Sequence, residues 1–338
     1  MKYLIPFTLS FALTVIFTVL LISIGKKISW KKRKSRRHIH KKGVLRLGGI
    51  SMTLSFIAAI LLNKDLVLTP EIAGMMIGTA TLMVAGLWDD IKEIFWKIQL
   101  FFQVVVAFFV FILGIRIYYI TNPVSGGLVD LSMGIGVIFS VVLVIFWILL
   151  LINSINWLDG IDGLSGGVSL ITCATIFFLS LKPEVYQPPV AILAAILTGV
   201  ILGFLIFNFN PSKILAGTSG TMFLGFSLAV LAIIAGTKIA TALLVMAIPI
   251  IDLVWVIGDR IKKGKSIFMP GRNHLHYKLM EMGWSQKRIA FSYWGVTLII
   301  SIIALNTRAI GKGITLAAAA IIMILVYFVI NKRVSSRN

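Results

Sequence analysis

Asp89 and Asp90 stand side by side in Gly86-Leu87-Trp88-Asp89-Asp90-Ile91-Lys92-Glu93. Adjacent carboxylates repel unless a cation compensates, and Mg²⁺ with a phosphate substrate is the usual compensation. A second cluster, Asn153-Ser154-Ile155-Asn156-Trp157-Leu158-Asp159-Gly160-Ile161-Asp162-Gly163-Leu164, places polar groups at 153, 156, 159 and 162. If the segment is helical, that spacing keeps the four near one slowly drifting face. Amide and carboxylate oxygens so arranged suit a hard cation or a sugar, whereas helix capping alone accounts for one or two of the four. A third cluster runs from Phe207-Asn208 through Pro211 to Gly217-Thr218-Ser219-Gly220-Thr221. Small residues opening a helix can turn backbone N–H groups toward phosphate, although the same pattern also serves an ordinary helix start.

The fourth cluster is Gly271-Arg272-Asn273-His274-Leu275-His276-Tyr277-Lys278. His274 and His276 could ligate a transition metal. With no cysteine nearby, anion binding is the better reading, and Arg272 and Lys278 would help hold a diphosphate. Lipid headgroup contact explains the charge of this loop but not its paired histidines. The run from Lys31 to Lys42, with His38 and His40, reads mainly as headgroup attraction and topology determination.

The elements that position these clusters must be membrane helices. Of 338 residues, 59% are apolar and 13% charged, with a mean hydropathy of +1.00, which excludes a soluble globule. Apolar runs of about twenty residues favour an all-α integral membrane bundle over a β-barrel. Eleven spans are expected, centred near residues 14, 55, 79, 107, 143, 172, 197, 227, 247, 297 and 322, the second and eighth being short. The first reads as a retained anchor, since no small-residue cleavage pattern follows it. Pro249 is expected to kink the ninth by removing the helical donor for the Val245 carbonyl, with Asp252 just beyond.

Lys and Arg total 32 against 12 acids, a net charge of +20. Eleven of these cations fall in residues 26–46 and eight in residues 260–288, both on the same side of an eleven-span bundle. That side is expected to be cytosolic, which puts the N-terminus outside and the C-terminus inside. Seven of the twelve acids, Asp89, Asp90, Glu93, Asp159, Asp162, Asp252 and Asp259, collect there too, as if around one site. The charge is thereby assigned to topology and lipid rather than to nucleic acid. Cys173, the only cysteine, can form no intrachain disulfide. With no linker or repeat, residues 1–338 read as a single domain. A transporter would also bury polar residues, but near the bilayer midplane and often in repeated halves.

Taken together, Arg46-Leu47-Gly48-Gly49 at the end of a basic loop, the Asp-Asp pair, Asn-x-x-Asn-x-x-Asp-Gly-x-Asp-Gly-Leu, Asn-x-x-Pro at 208–211 and His-x-His resemble the polyprenyl-phosphate N-acetylhexosamine-1-phosphate transferase family. The resemblance implies transfer of a HexNAc-1-phosphate, foremost GlcNAc-1-phosphate, from a UDP-sugar to a polyprenyl phosphate at the cytosolic face of the cell membrane, releasing UMP and starting a cell-envelope glycopolymer. Mg²⁺ is the implied cofactor. The implied partners are UDP-HexNAc, polyprenyl phosphate and membrane lipid, with room for a homodimer. Asp89, Asp90 and Asp162 are then expected to be catalytic, with Asp89 or Asp90 taking the proton of the lipid phosphate. Arg46, Asn153, Asp159, Asn208, Arg272, His274 and His276 are expected to bind substrate, and Asn156, Asp159, Asp162 and Thr218 the metal. Three departures accompany the likeness. Thr218 replaces the aspartate of a usual Gly-Asp-Ser-Gly, Tyr277 replaces a usual third histidine, and Gln99 stands where a lysine is common, with Lys97 as a substitute. Thr218 gives weight to a second reading, a catalytically impaired family member that binds lipid or nucleotide.

Overall fold

The computed structural model describes residues 1–27, 44–121, 127–236, 239–268 and 271–335. The basic stretch Lys31 to Lys42 lies outside the described residues. Thirteen α-helices and one small hairpin are described. In order they are α1 (Leu4–Lys27), α2 (Gly48–Leu61), α3 (Pro70–Lys92), α4 (Trp96–Ile112), the strands β1 (Tyr119–Thr121) and β2 (Leu128–Asp130), α5 (Ile135–Leu158), α6 (Leu164–Leu181), α7 (Pro188–Asn208), α8 (Gly217–Ile234), α9 (Ile239–Val245), α10 (Ala247–Lys262), α11 (Leu275–Glu281), α12 (Gln286–Asn306) and α13 (Ala309–Ser335). The hairpin is antiparallel, with Tyr119 opposite Asp130.

Each expected span coincides with a helix, but eleven full-length spans are not what the structure contains. Eight helices are long and apolar enough to cross a bilayer, or nine if the bent pair α9–α10 is one span. The remaining two, α2 and α4, have 14 and 17 residues. At 1.5 Å per residue they reach about 21 and 26 Å, short of a hydrocarbon core of about 30 Å. Thus the fourth run joins the second as short, whereas the eighth, at 18 residues, counts among the eight. The 73° bend of the α9–α10 pair falls at Met246, where Pro249 denies the Val245 carbonyl its donor.

The centre of the bundle is α8, which is buried along almost its whole length and packs against α2, α3 and α5. Its apolar side chains, Phe223 and Phe226 among them, share one core with Phe56, Ile148 and Leu151. Local signals fix the ends that matter for the site. Thr69 accepts from the Ile72 amide ahead of Pro70 to start α3, and Glu93 closes it in a left-handed conformation (φ 51°). The α8 entrance needs Gly217, whose φ is +71° and whose missing Cβ would lie 2.5 Å from the Asp90 carboxylate. A short parallel bridge, Leu45 to Ile214, ties the segment before α2 to the segment before α8. Three further backbone bonds, from the amides of Leu215, Gly48 and Gly49, lock that junction and set Arg46 beside the α3 terminus.

Candidate active site

The C-terminal ends of α3, α5, α7 and α10 and the N-terminal ends of α4 and α8 surround one cavity of about 760 Å³. It is lined by Arg46, Asp89, Asn153, Asn156, Asp159, Asn208, Thr218 and His274 from the expected set. Asp90, Asp162 and His276 lie behind this surface, and Arg272 is exposed and off the lining.

The paired aspartates have separate employments. Asp90 accepts from the Thr218 amide (2.9 Å), the Ser219 amide (3.1 Å) and the Ser219 hydroxyl (2.9 Å), and Arg46 Nη1 stands 3.8 Å from its Oδ1. A carboxylate at a helix N-terminus satisfies otherwise orphaned donors and complements the helix dipole. The α8 amides at Thr218 and Ser219, expected to face phosphate, are therefore bound within the protein. Asp89 faces the cavity instead, with Oδ1 accepting from Gln99 (2.9 Å) and Oδ2 from the Thr218 hydroxyl (2.6 Å). Thr218 thus gives its only hydroxyl proton to Asp89, at a distance where a second carboxylate would need a cation between.

The central motif is not one continuous helix. Asn153 and Asn156 lie on the last turns of α5, Asp159 follows the helix end, and Asp162 sits in the turn before α6. Asn153 Nδ2 donates to Gln103 Oε1 (3.0 Å) and the Leu149 carbonyl (2.8 Å), and Asn156 Oδ1 accepts from Thr221 (3.2 Å). Asp159 Oδ1 accepts from Ser165 at 2.5 Å. Burial raises the Asp159 carboxyl to about 6, against the lowering effects of Ser165 and Arg46. Asp162 Oδ2 accepts from Asn210 Nδ2 (2.9 Å) and the Ser212 amide (3.0 Å), joining the turn to the segment after α7. Asn208 serves the same junction, accepting from the Gly163 amide (3.1 Å) and donating to the Ile214 carbonyl (3.0 Å).

On the far wall, His274 Nδ1 lies 2.7 Å from Asp252 Oδ2, and its ring meets Trp157 edge-on at 5.3 Å. His276 is fully buried, stacks with His274, and has no hydrogen-bond partner on either ring nitrogen among the described residues. It packs so closely on Gly160 that a Cβ there would come within 2.2 Å of its Nε2. Burial pulls the His276 pKa down to about 3, overcoming the attraction of Asp252.

Several lining residues carry no motif signal. Arg260, only 4% exposed, donates to the Ile267 carbonyl (2.7 Å) and lies over the Trp157 ring at 5.1 Å, supplying the cavity with a cation besides Arg46. In the sequence it is one cation among eight. Gln103, 2% exposed, was open to notice as a lone amide inside an apolar run.

The cavity wall offers oxygen ligands from Asp89, Asp159, Asn156 and Thr218, and among the described residues no three His, Cys, Asp or Glu side chains come together. That donor set fits Mg²⁺, which is commonly held by one or two carboxylates with water and substrate phosphate completing the shell. A soft or borderline metal would find no thiolate here.

The sequence model of glycosyl transferase family 4 matches residues 72–236. A decaprenyl-phosphate N-acetylglucosaminephosphotransferase of Mycobacterium leprae (strain TN) is 30% identical over 284 residues, 75% of this chain and 70% of that one. The chain belongs to the polyprenyl-phosphate N-acetylhexosamine-1-phosphate transferases. Also similar are the probable undecaprenyl-phosphate N-acetylglucosaminyl 1-phosphate transferase of Bacillus subtilis (strain 168), 26% identical over 91% of this chain and 86% of that one, and a phospho-N-acetylmuramoyl-pentapeptide-transferase of Halalkalibacterium halodurans, 28% identical over 89% and 96%. As a member of that family the protein is a multi-pass membrane transferase whose substrate class is a polyprenyl phosphate and an activated amino sugar.

Proposed function

We propose that the protein transfers GlcNAc-1-phosphate from UDP-GlcNAc to a polyprenyl phosphate at the cytosolic face, releasing UMP and starting a cell-envelope glycopolymer. One observation carries the reading. The cavity joins a polar wall to an apolar mouth, where Phe95, Phe146 and Phe268 line it while remaining 57%, 60% and 44% exposed. A substrate that is half nucleotide diphosphate and half hydrocarbon needs both surfaces at once. Leu253 and Ile257 of α10 continue the apolar side, giving the prenyl chain a border that spares it from leaving the bilayer, at about 0.8 kcal/mol per buried CH₂.

A lipid phosphate oxygen attacks the phosphorus attached to the sugar, the bond to the bridging oxygen breaks, and UMP departs with the electron pair. Asp89 is placed to take the lipid phosphate's proton, because its carboxylate faces the cavity while that of Asp90 is engaged by α8. Arg46 and His274 bring donors to the diphosphate, and Asn156 and Asp159 offer oxygens to the sugar and metal side. Mg²⁺ would supply charge neutralisation on the transferring phosphate, held through Asp89, Asp159, Asn156 and the Thr218 oxygen. The cytosolic assignment rests on Lys92, Lys97, Lys213 and the 260–288 cations lying at the cavity end. Cysteines placed at 92, 213 and 273 should label from the cytosol alone.

The purified protein, given a panel of UDP-sugars and undecaprenyl phosphate with and without Mg²⁺, should form one lipid diphosphate sugar per UMP only when Mg²⁺ is present. Binding of UDP-sugar without turnover by any of the panel would establish the impaired-binder reading, for which Thr218 is the motivating residue.

A further inference from the structure

The last helix, α13, faces mostly outward along its length, yet its Tyr327 is fully buried. The ring stacks on Trp255 of α10 (4.7 Å, 20° between planes) and lies under the Lys278 ammonium of α11 (4.8 Å). Its hydroxyl donates to Asp252 Oδ1. The same oxygen accepts from the Leu275 amide (2.8 Å), and Asp252 Oδ2 faces His274 Nδ1 (2.7 Å). Asp252 is 2% exposed, so three donors converge on one buried carboxylate. Burying a carboxylate to this extent adds little stability over apolar packing of equal volume, so orientation is what the arrangement contributes.

We propose that Tyr327 and Asp252 are positioning residues that hold the His274 ring with its Nδ1–H on the carboxylate and its Nε2 left to the cavity for the substrate diphosphate. This rests on the transferase reading. The hydrogen-bond pattern fixes one proton: an ionised carboxylate can only accept, so Nδ1 carries a proton. When the ring is also protonated at Nε2, as an imidazolium between the Asp252 carboxylate and a bound diphosphate, Nε2 offers that diphosphate a charge-assisted N–H. Asp252, His274 and Tyr327 all lie beyond the residues matched by the family sequence model, 72–236. The C-terminal helix therefore belongs to the binding machinery although none of its described side chains lines the cavity.

Asp252→Asn tests the relay with almost no change of volume. The Leu275 amide and the Tyr327 hydroxyl require an oxygen at the Oδ1 position, so the new amide NH₂ must face His274, Nδ1 becomes an acceptor, and the ring is left neutral, its Nε2–H no longer carrying the imidazolium charge. In full-length protein in lipid nanodiscs, UDP-GlcNAc affinity by calorimetry and the KM for the nucleotide sugar should weaken about 10- to 100-fold, as for a lost charged hydrogen bond. The KM for undecaprenyl phosphate should stay within about twofold. Tyr327→Phe should weaken nucleotide-sugar binding about three- to tenfold in the same one-sided way. Neither change should add to His274→Gln, since both act through that ring. The relay is overturned if the two KM values shift together with thermal stability, or if either effect persists in the His274→Gln background. Wild-type protein that binds no UDP-sugar overturns the transferase reading and the relay with it. Wild-type protein that binds UDP-GlcNAc while Tyr327→Phe leaves its affinity unchanged overturns the relay alone.

Discussion

The α3–α8 seam and the α5–α6 turn each bring a buried or half-buried aspartate to the same end of the bundle, and they treat it differently. At the seam, Asp90 is saturated by amides and a hydroxyl from the first turn of α8. At the turn, Asp159 has one hydroxyl partner from Ser165 and stands on the cavity wall. The difference teaches that a carboxylate's place in a motif does not decide its work. What decides it is whether its lone pairs are already filled by the fold or remain open to an incoming cation or phosphate.

Replacing each aspartate by asparagine separates the two kinds. Asp159→Asn should lower turnover about 10- to 100-fold, the range of a change at a metal site, with unfolding temperature unchanged. Asp90→Asn should reduce stability by about 3 kcal/mol, because an amide cannot accept from all of the α8 donors, and activity should fall with the folded fraction. Equal losses of stability at both positions would erase the contrast. Thr218→Asp sharpens it further: two carboxylates at the Thr218–Asp89 contact should make the unfolding temperature fall in EDTA and recover in Mg²⁺ by several degrees, whereas the native protein should respond less. An Asp variant indifferent to Mg²⁺ would show that Asp89 and position 218 do not share a cation.

The histidine wall gives a pH test. His276 is held neutral in the folded protein, with a pKa near 3, and titrates near 6.5 when unfolded. Below 6.5 the unfolded chain binds the extra proton, so stability should fall with pH from about 6.5 toward about 3, at a slope approaching 1.4 kcal/mol per pH unit. His276→Leu should remove that component, as followed by thermal unfolding across the range. The smallest expected effect is at Gln99, whose amide donates to Asp89 at 2.9 Å. Gln99→Leu should cost about threefold in turnover, within the range of one neutral hydrogen bond.

Much of the site was legible because polar residues in an apolar chain are costly unless they act together. That reasoning selected Asp89, Asn153, Asn156 and Asp159 at one end of the bundle, and in the structure all four line one cavity. It could not divide Asp89 from Asp90, which are neighbours with opposite surroundings. Nor could it choose Arg260 over Arg272 within a run of cations, since burial distinguishes them and periodicity does not. Tyr327 was illegible for another reason. A tyrosine near the end of an apolar helix reads as an interfacial anchor, and its partner Asp252 is 75 residues away. Of the two runs expected to be short, α2 is short at 14 residues while α8 passes as a span at 18, and α4 is the short helix that was not expected, because hydropathy reports apolarity and not where a helix ends.

The exposed aromatic mouth of the cavity also has a kinetic meaning. A lipid acceptor that enters past Phe146 arrives by diffusion in two dimensions, from a reservoir one molecule thick. Its saturation curve should therefore follow mole fraction in the membrane rather than molar concentration in the vessel. Diluting the acceptor with inert phospholipid at constant total amount should slow the enzyme, while diluting the vesicles in buffer at fixed composition should leave the acceptor term untouched.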